Sequence, residues 1–201
     1  MRLTAAMFLA LLVLSGCEGT WGYAEARKLA RLAEYEGQDF GYAVISVGRE
    51  KSATYVSTYV SLIETRTSAP GSFGYAPQAL FTDANRRDFV TSDSEGTVIL
   101  RKLPPGTYEI RSSGGGRMAG ASFVAQVRDF YPPIRFTVVT GGVSYLGRFI
   151  IGQNGYGPIA NSTIKVSSEE SADIALVKMR ETKVTLGEVR AYVPAPGAHA
   201  H

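Results

Sequence analysis

The chain has 201 residues, with 21 basic and 18 acidic side chains, a formal net charge of +3, one cysteine and two histidines. That length suits one domain with its own hydrophobic core, and the near balance of charge excludes the concentrated basic face that nucleic acid requires. A lone cysteine excludes an internal disulfide, and histidines confined to His199 and His201 leave no imidazole for a rigid zinc site or catalytic triad inside a fold.

The sequence opens with Arg2 and an uncharged run from Leu3 to Leu14. Crossing a bilayer takes roughly 20 apolar residues, so this run is too short to span one. A basic residue, an apolar stretch and then small residues is the layout of a secretory signal peptide. The stretch closes on Leu14-Ser15-Gly16-Cys17, which resembles the lipobox of bacterial lipoproteins. The resemblance implies that residues 1–16 are removed, that Cys17 is the lipid-attachment residue, and that the new amino terminus is acylated. At about 0.8 kcal/mol per buried methylene, several acyl chains anchor a protein durably where one does so marginally. Glu18 follows the cysteine in place of the aspartate that retains enterobacterial lipoproteins at the inner membrane. The expected location is therefore the periplasmic face of the outer membrane.

Residues 17–38 read as a lipidated, helical tether. In "WGYAEARKLARLAEYE" (21–36), Ala26, Leu29, Ala30 and Ala33 recur at helical spacing, and Gly37 is a C-terminal stop. From residue 39 to 193 the texture is β. Strands are expected at 40–47, 53–65, 78–82, 88–92, 96–103, 106–113, 121–127, 134–140, 143–151 and 184–193, rich in Val, Ile, Thr, Tyr and Phe. Alternation, as at Val98 and Leu100 or Tyr108 and Ile110, places one face on a core. Turns are expected at Ser94-Glu95-Gly96, Pro104-Pro105-Gly106, Gly114-Gly115-Gly116, Pro132-Pro133 and Gly141-Gly142.

Residues 66–88 read as a loop-like insertion. In "SSEESADIALVKMRE" (167–181), Ser167 and Glu170 form a capping-box pattern, and Ala172, Ala175, Leu176 and Met179 share a helical face. The tail, 194–201, is expected to be disordered.

The segment "SDSEGTVILRKLPPGTYEIRSS" (92–113) carries most of the fold information. Two prolines force an extended entry, Gly106 provides backbone freedom, and Tyr108 anchors the returning strand. It resembles the hairpin of prealbumin-like and carboxypeptidase-regulatory-like domains, and "FTVVTGGVSYLGRFII" (136–151) looks like the strand, glycine turn and strand of small lipoproteins that carry them. The resemblance covers about residues 40–180. It implies a mainly β, antiparallel β-sandwich of prealbumin or Ig-like type, with a short N-terminal helix and one short helix near 168–180.

Chemistry is sparse. Asp93 with Glu95 sit in a turn, and Glu169 with Glu170 at a helix start, where acids favour the positive end. "GGGRMAG" (114–120) lacks the lysine and hydroxyl ending of a phosphate loop and leads into a strand, so it reads as a hairpin loop. "NST" (161–163) matches a glycosylation acceptor that means little in a bacterial lipoprotein. What stands out is aromatic side chains in expected loops: Phe73, Tyr75, Tyr131 and Tyr156. Tyrosine combines a broad apolar face with a hydroxyl, which suits recognition, and capping of the sandwich ends is the competing role. The sequence thus points to a non-enzymatic envelope lipoprotein with no metal or cofactor, bound to the bilayer through acylated Cys17 and to an envelope protein or glycan, and not to nucleic acid. The alternatives are an accessory lipoprotein of a secretion or surface-assembly complex and an envelope hydrolase.

Overall fold

A computed structural model of the protein describes residues 35–77, 86–120, 122–155 and 161–194. The expectations for the 1–16 leader, Cys17, the tether helix to residue 34, the strand at 78–82, Tyr156 and the tail from residue 195 lie outside the described residues.

Among the described residues the chain forms β1 (Gly41–Glu50), β2 (Ser57–Glu64), β3 (Pro70–Tyr75), β4 (Phe89–Val90), β5 (Ser94–Leu103), β6 (Gly106–Ala119), β7 (Ser122–Val138), β8 (Val143–Asn154), β9 (Asn161–Ser167), α1 (Glu170–Arg180) and β10 (Val189–Ala191). One sheet runs β10-β8-β1-β5-β4 with β9 also on β8, and the second runs β3-β2-β6-β7. β1 and β10 both pair with β8 in parallel, so the first sheet is mixed. The other pairings are antiparallel.

The two sheets share one core. Ile45 and Val47 of β1 and Phe149 and Ile151 of β8 pack in the same cluster as Val60, Phe73, Tyr108, Ile110 and Phe136 of the second sheet. A second apolar layer lies on the other face of the first sheet, where Tyr42, Val44, Val98, Val143 and Tyr145 meet Ile174 and Val177 of α1. This layering explains two different sequence textures. Strand β1, "GYAVISVGRE", is covered on both faces and is buried without interruption from Gly41 to Gly48. Strand β2, "STYVSLIE", has one covered face, and its burial alternates residue by residue.

Helix α1 is fixed to the sheet by one buried carboxylate. Asp173 is fully buried. It accepts hydrogen bonds from Ser46 Oγ at 2.6 Å, from Tyr145 OH at 2.9 Å and from Arg148 Nη2. Tyr145 and Arg148 are three apart, and in a regular strand they would point to opposite faces. A bulge brings them together: Val44 pairs with Tyr145 but Ser46 pairs with Arg148, so β8 carries an extra residue between them. Gly147 occupies the bulge at φ +100, and a Cβ there would also lie 3.1 Å from Ser167 O. The guanidinium of Arg148 stacks on Phe89 at 4.1 Å.

The expected capping box does not form. The N-cap is Glu169, with no side-chain cap. Its N–H donates instead to Tyr145 OH at 3.0 Å, so the sheet supplies the acceptor that Glu170 was expected to provide. The buried face of α1 is Asp173, Ile174 and Val177, whereas Met179 is exposed. The expected stripe of Ala172, Ala175, Leu176 and Met179 is thus displaced, because the buried aspartate rotates the helix toward its partners.

Other expectations change too. The Pro104-Pro105-Gly106 turn does not close a hairpin: β5 and β6 belong to different sheets, and the turn is a corner between them. Tyr108 locks that corner, its hydroxyl donating to Pro104 O at 2.7 Å and its ring stacking on Phe136 at 5.2 Å. Within the supposed 66–88 loop, β3 pairs with β2 from Pro70 to Tyr75. Gly114–Gly116 are strand residues of β6, and Pro132-Pro133 lie inside β7. The final strand shortens to Val189–Ala191.

Asp173→Ala strands the Arg148 charge and releases two hydroxyl donors. Urea denaturation of the full chain is expected to show a loss of about 3–5 kcal/mol, the usual cost of breaking a buried ion pair. Tyr108→Phe removes only the bond to Pro104 O and is expected to cost about 1 kcal/mol in the same titration.

Candidate functional site

The structure separates the aromatic residues singled out in the sequence. Phe73 and Tyr75 are fully buried on β3, which corrects their assignment to a loop surface. Their side chains and Gly71 alternate inward along an edge strand, so they build the core. Phe73 also supports the guanidinium of Arg101, which stacks on its ring at 4.5 Å and donates to Ser72 O. Burial pushes Arg101 down to about 10, so it remains charged at neutral pH. Tyr131 keeps the expected exposure, at 80%.

Further along the same hairpin lie more exposed apolar side chains. Met118, Phe123 and Val127 are each more than half exposed, and Val124 is exposed beside them. All lie on β6 and β7, whose ladder continues outward to the pair Ala119 and Ser122. Alternation sorts the faces. Gly115 and Gln126 are paired and face inward, where Gln126 Oε1 accepts from Tyr55 OH at 2.6 Å. Phe123, Ala125 and Val127 therefore face outward with Met118, Gly116 and Gly114.

The glycines make this outer face possible. A Cβ at Gly116 would lie 1.9 Å from the Phe123 ring, and one at Gly114 would lie 2.9 Å from Tyr59 OH. Both rings lie over bare backbone, which flattens them on the sheet. On the inner face, a Cβ at Gly115 would lie 2.4 Å from the Tyr55 ring. The run that resembles a flexible loop is the floor under three aromatic rings.

The base of this face is charged. Glu109 Oε2 accepts from Arg111 and Glu109 Oε1 from Arg135, each at 3.0 Å. Hydrogen bonds from Arg111 and then Arg135 hold the Glu109 carboxyl below its ordinary range. Between base and tip the register breaks. Ile110 pairs with Ile134 but Ser112 pairs with Asp129, so residues 130–133 bulge from β7 opposite Arg111, with a cis peptide between Tyr131 and Pro132. The bulge buries Phe130 against Phe149 and turns Tyr131 outward.

Strand β7 is also the edge of its sheet, with β6 as its one ladder partner among the described residues. An exposed apolar face beside an open strand edge offers both nonpolar contact and unpaired backbone groups to a partner. Sequence reasoning found Tyr131 and missed Met118, Phe123, Val124 and Val127. The signal available was the period-two pattern of Phe123, Ala125 and Val127 alternating with Gln126 and Arg128.

Among the described residues no group of three or more His, Cys, Asp or Glu side chains is placed to hold a metal, and no helix is long and apolar enough to cross a membrane. No protein-family model matches the chain, and no curated protein matches it significantly. Among solved structures, a leucine-rich repeat protein from Bacteroides thetaiotaomicron VPI-5482 is similar at 12% identity and a TM-score of 0.32. The match covers 57% of this chain and 14% of that one, so this chain spans a small part of its length. A likeness of that size assigns neither fold nor function.

Two variants separate floor from surface. Gly115→Ala drives a methyl into the buried Tyr55 ring and is expected to cost about 1–3 kcal/mol in thermal or urea unfolding. The double change Phe123→Ser with Val127→Ser is expected to leave stability within about 1 kcal/mol, while reducing the fluorescence of a dye that reports exposed apolar surface.

Proposed function

We propose that the protein is a lipid-anchored component of the bacterial cell envelope that acts as a non-enzymatic binding module, with the outer half of the β6–β7 hairpin as its contact surface. The observation that carries this reading is the concentration of Met118, Phe123 and Val127 on the outer face of one exposed hairpin, with Val124 exposed on its other face and Tyr131 exposed at its bulge. Scattered exposed apolar side chains are ordinary, but contiguous ones cost solubility unless something covers them.

The anchor rests on the opening sequence, where Arg2, the apolar run and Leu14-Ser15-Gly16-Cys17 resemble a lipoprotein signal. The two-sheet body with its Tyr108 corner supports the reading of a prealbumin-like or carboxypeptidase-regulatory-like sandwich. Tethering to the periplasmic face of the outer membrane raises the effective concentration of the hairpin near other envelope proteins, so a modest contact suffices for occupancy. A protein partner fits the surface better than a glycan, because its exposed side chains are mainly aliphatic and aromatic.

Cys17→Ser is expected to abolish incorporation of labelled fatty acid and to move the protein out of the membrane fraction; unchanged labelling and distribution overturn the anchor. A photo-crosslinking residue at Phe123 is expected to join an envelope protein in intact cells, while the same residue at Lys178 on α1 is not. Absence of any protein adduct at Phe123 overturns the binding surface.

A further inference from the structure

We propose that Arg101 is the receptor for a single carboxylate group, which enters between the open edges of β3 and β5, on the side of the sandwich away from β7. The site is separate from the β6–β7 hairpin and does not rest on the reading of that hairpin as a contact surface.

Register fixes where Arg101 points. It pairs with Ala43 of β1, between the pairs Ile45 with Ile99 and Gly41 with Leu103. Directly opposed residues share a face, and Ala43, Ile45 and Leu103 belong to the core between the sheets, with Ile99 packed against them. A guanidinium therefore stands in a row of apolar side chains. It reaches across to the second sheet, lying on the Phe73 ring at 4.5 Å and donating through Nη1 to Ser72 O. Both sheets end beside it. Strand β3 is the outermost of its sheet, and β4 pairs with β5 only at Glu95 and Gly96, so residues 99–103 form an edge among the described residues.

What sets Arg101 apart is its missing counter-charge. Elsewhere covered arginine side chains meet acids: Arg49 meets Glu95, Arg148 meets Asp173 and Arg180 meets Asp88. Arg101 has no such ion pair among the described residues, and desolvation alone acts on its charge. Buried charge without a partner is costly, so an anion that reaches it is favoured. Ser72 O engages Nη1, and the edge formed by Nε and Nη2 has no acceptor among the described residues. That edge is the fork that holds a carboxylate through two parallel hydrogen bonds.

Charge selects the class of ligand. Lys102, next in the chain, points to the other face of the sheet and lies over Phe40, and Arg49 is held by Glu95. Arg101 thus offers one positive charge, which one monoanion neutralises. A phosphate dianion would leave excess charge in a partly covered slot. With Phe73 against one face of the guanidinium, the partner comes in the plane of the fork, as a flat carboxylate does.

The test uses the full chain in mild detergent at neutral pH and constant ionic strength, with acetate exchanged for chloride. Melting temperature is expected to rise saturably with acetate. The Arg101 Nε–H resonance, identified by its loss in Arg101→Lys, is expected to shift along the same curve. Inorganic phosphate and sulfate are expected to bind about tenfold more weakly. Arg101→Met removes a buried charge that has no acid beside it, so it is expected to melt no lower than the unmutated chain in chloride and to lose the acetate response. Arg101→Lys keeps the charge without the fork and is expected to weaken the response about tenfold. Arg111→Met, on the outer face, is expected to respond as the unmutated chain does. A blocked peptide of alternating valine and threonine with one central glutamate, set against its glutamine form, separates the sources. Binding tighter than acetate and lost with glutamine assigns a carboxylate carried on an extended strand; binding no tighter assigns a free small one.

No saturable response to acetate in the unmutated chain, or a response that Arg101→Met retains, overturns the site. Should Arg101→Met not fold, an Nε–H resonance that acetate leaves unmoved overturns it equally. Phosphate or sulfate binding as tightly as acetate overturns the choice of a carboxylate. The Phe123 photo-adduct tests the hairpin alone, so failure here and failure of the binding-module reading are told apart.

Discussion

The structure depends on a carboxylate that has no contact with water. Asp173 draws one donor from β1 and two from β8, and it is carried by a helix that follows β9 in the chain. An isolated ionised carboxylate in that position would be far too costly to bury, so the three donors are a condition for docking the helix. They converge only because β8 contains a bulge at Gly147, which makes Tyr145 and Arg148 face the same way. One irregular residue in one strand thus sets where α1 lies, which face it buries, and how its first turn is capped. The apolar layer of Ile174 and Val177 then fills the space that this geometry defines.

The two sheets are consequently unlike. The first is covered on both faces, by the second sheet and by α1, and its side chains are committed to packing. The second has one face inside and one outside, and its outer half reaches a projecting hairpin. Exposed apolar side chains therefore gather on β6 and β7. Glycine acts in the same sense on this hairpin. It removes side chains beneath Tyr59, Phe123 and Tyr55, letting the rings lie flat on the backbone.

Much of the β architecture was legible, because β1, β2, β5, β6 and β8 carry branched and aromatic residues at strand spacing. What failed did so for physical reasons. Strand β3, "PGSFGY", has the composition of a turn, yet Gly71, Phe73 and Tyr75 keep period two and face the core. Gly114–Gly116 and Pro132-Pro133 mark turns in most settings; here one is a close-packed floor and the other sits on a bulged edge, where missing donors are tolerated. The face of α1 could not be read from apolar spacing, since one of its fully buried positions is an aspartate whose donors lie 25, 28 and 127 residues away in the chain. Of the candidate aromatics, Tyr131 is exposed but lies on β7 instead of a loop, whereas Phe73 and Tyr75 are core. Both β3 and β7 lie at sheet edges, so exposure depends on which face of the strand meets the other sheet, and local sequence does not state that.

The parallel pairing of β1 with β8 has a bearing on the order of assembly. A chain emerging from its amino end has all strands of the second sheet once residue 138 is out: β2 with β3 and β6 with β7 pair as consecutive strands, and β2 then joins β6 across the intervening β3, β4 and β5. Strand β1 acquires its parallel neighbour only after residue 143, and the bolt provided by Asp173 comes later still. Until then the inward rings of Phe73, Tyr75, Tyr108 and Phe136 lack the full opposing layer, and such long-range closure is slow relative to local pairing. Emergence from the amino end therefore leaves a half-built body whose apolar interior stays uncovered until the last third of the chain arrives.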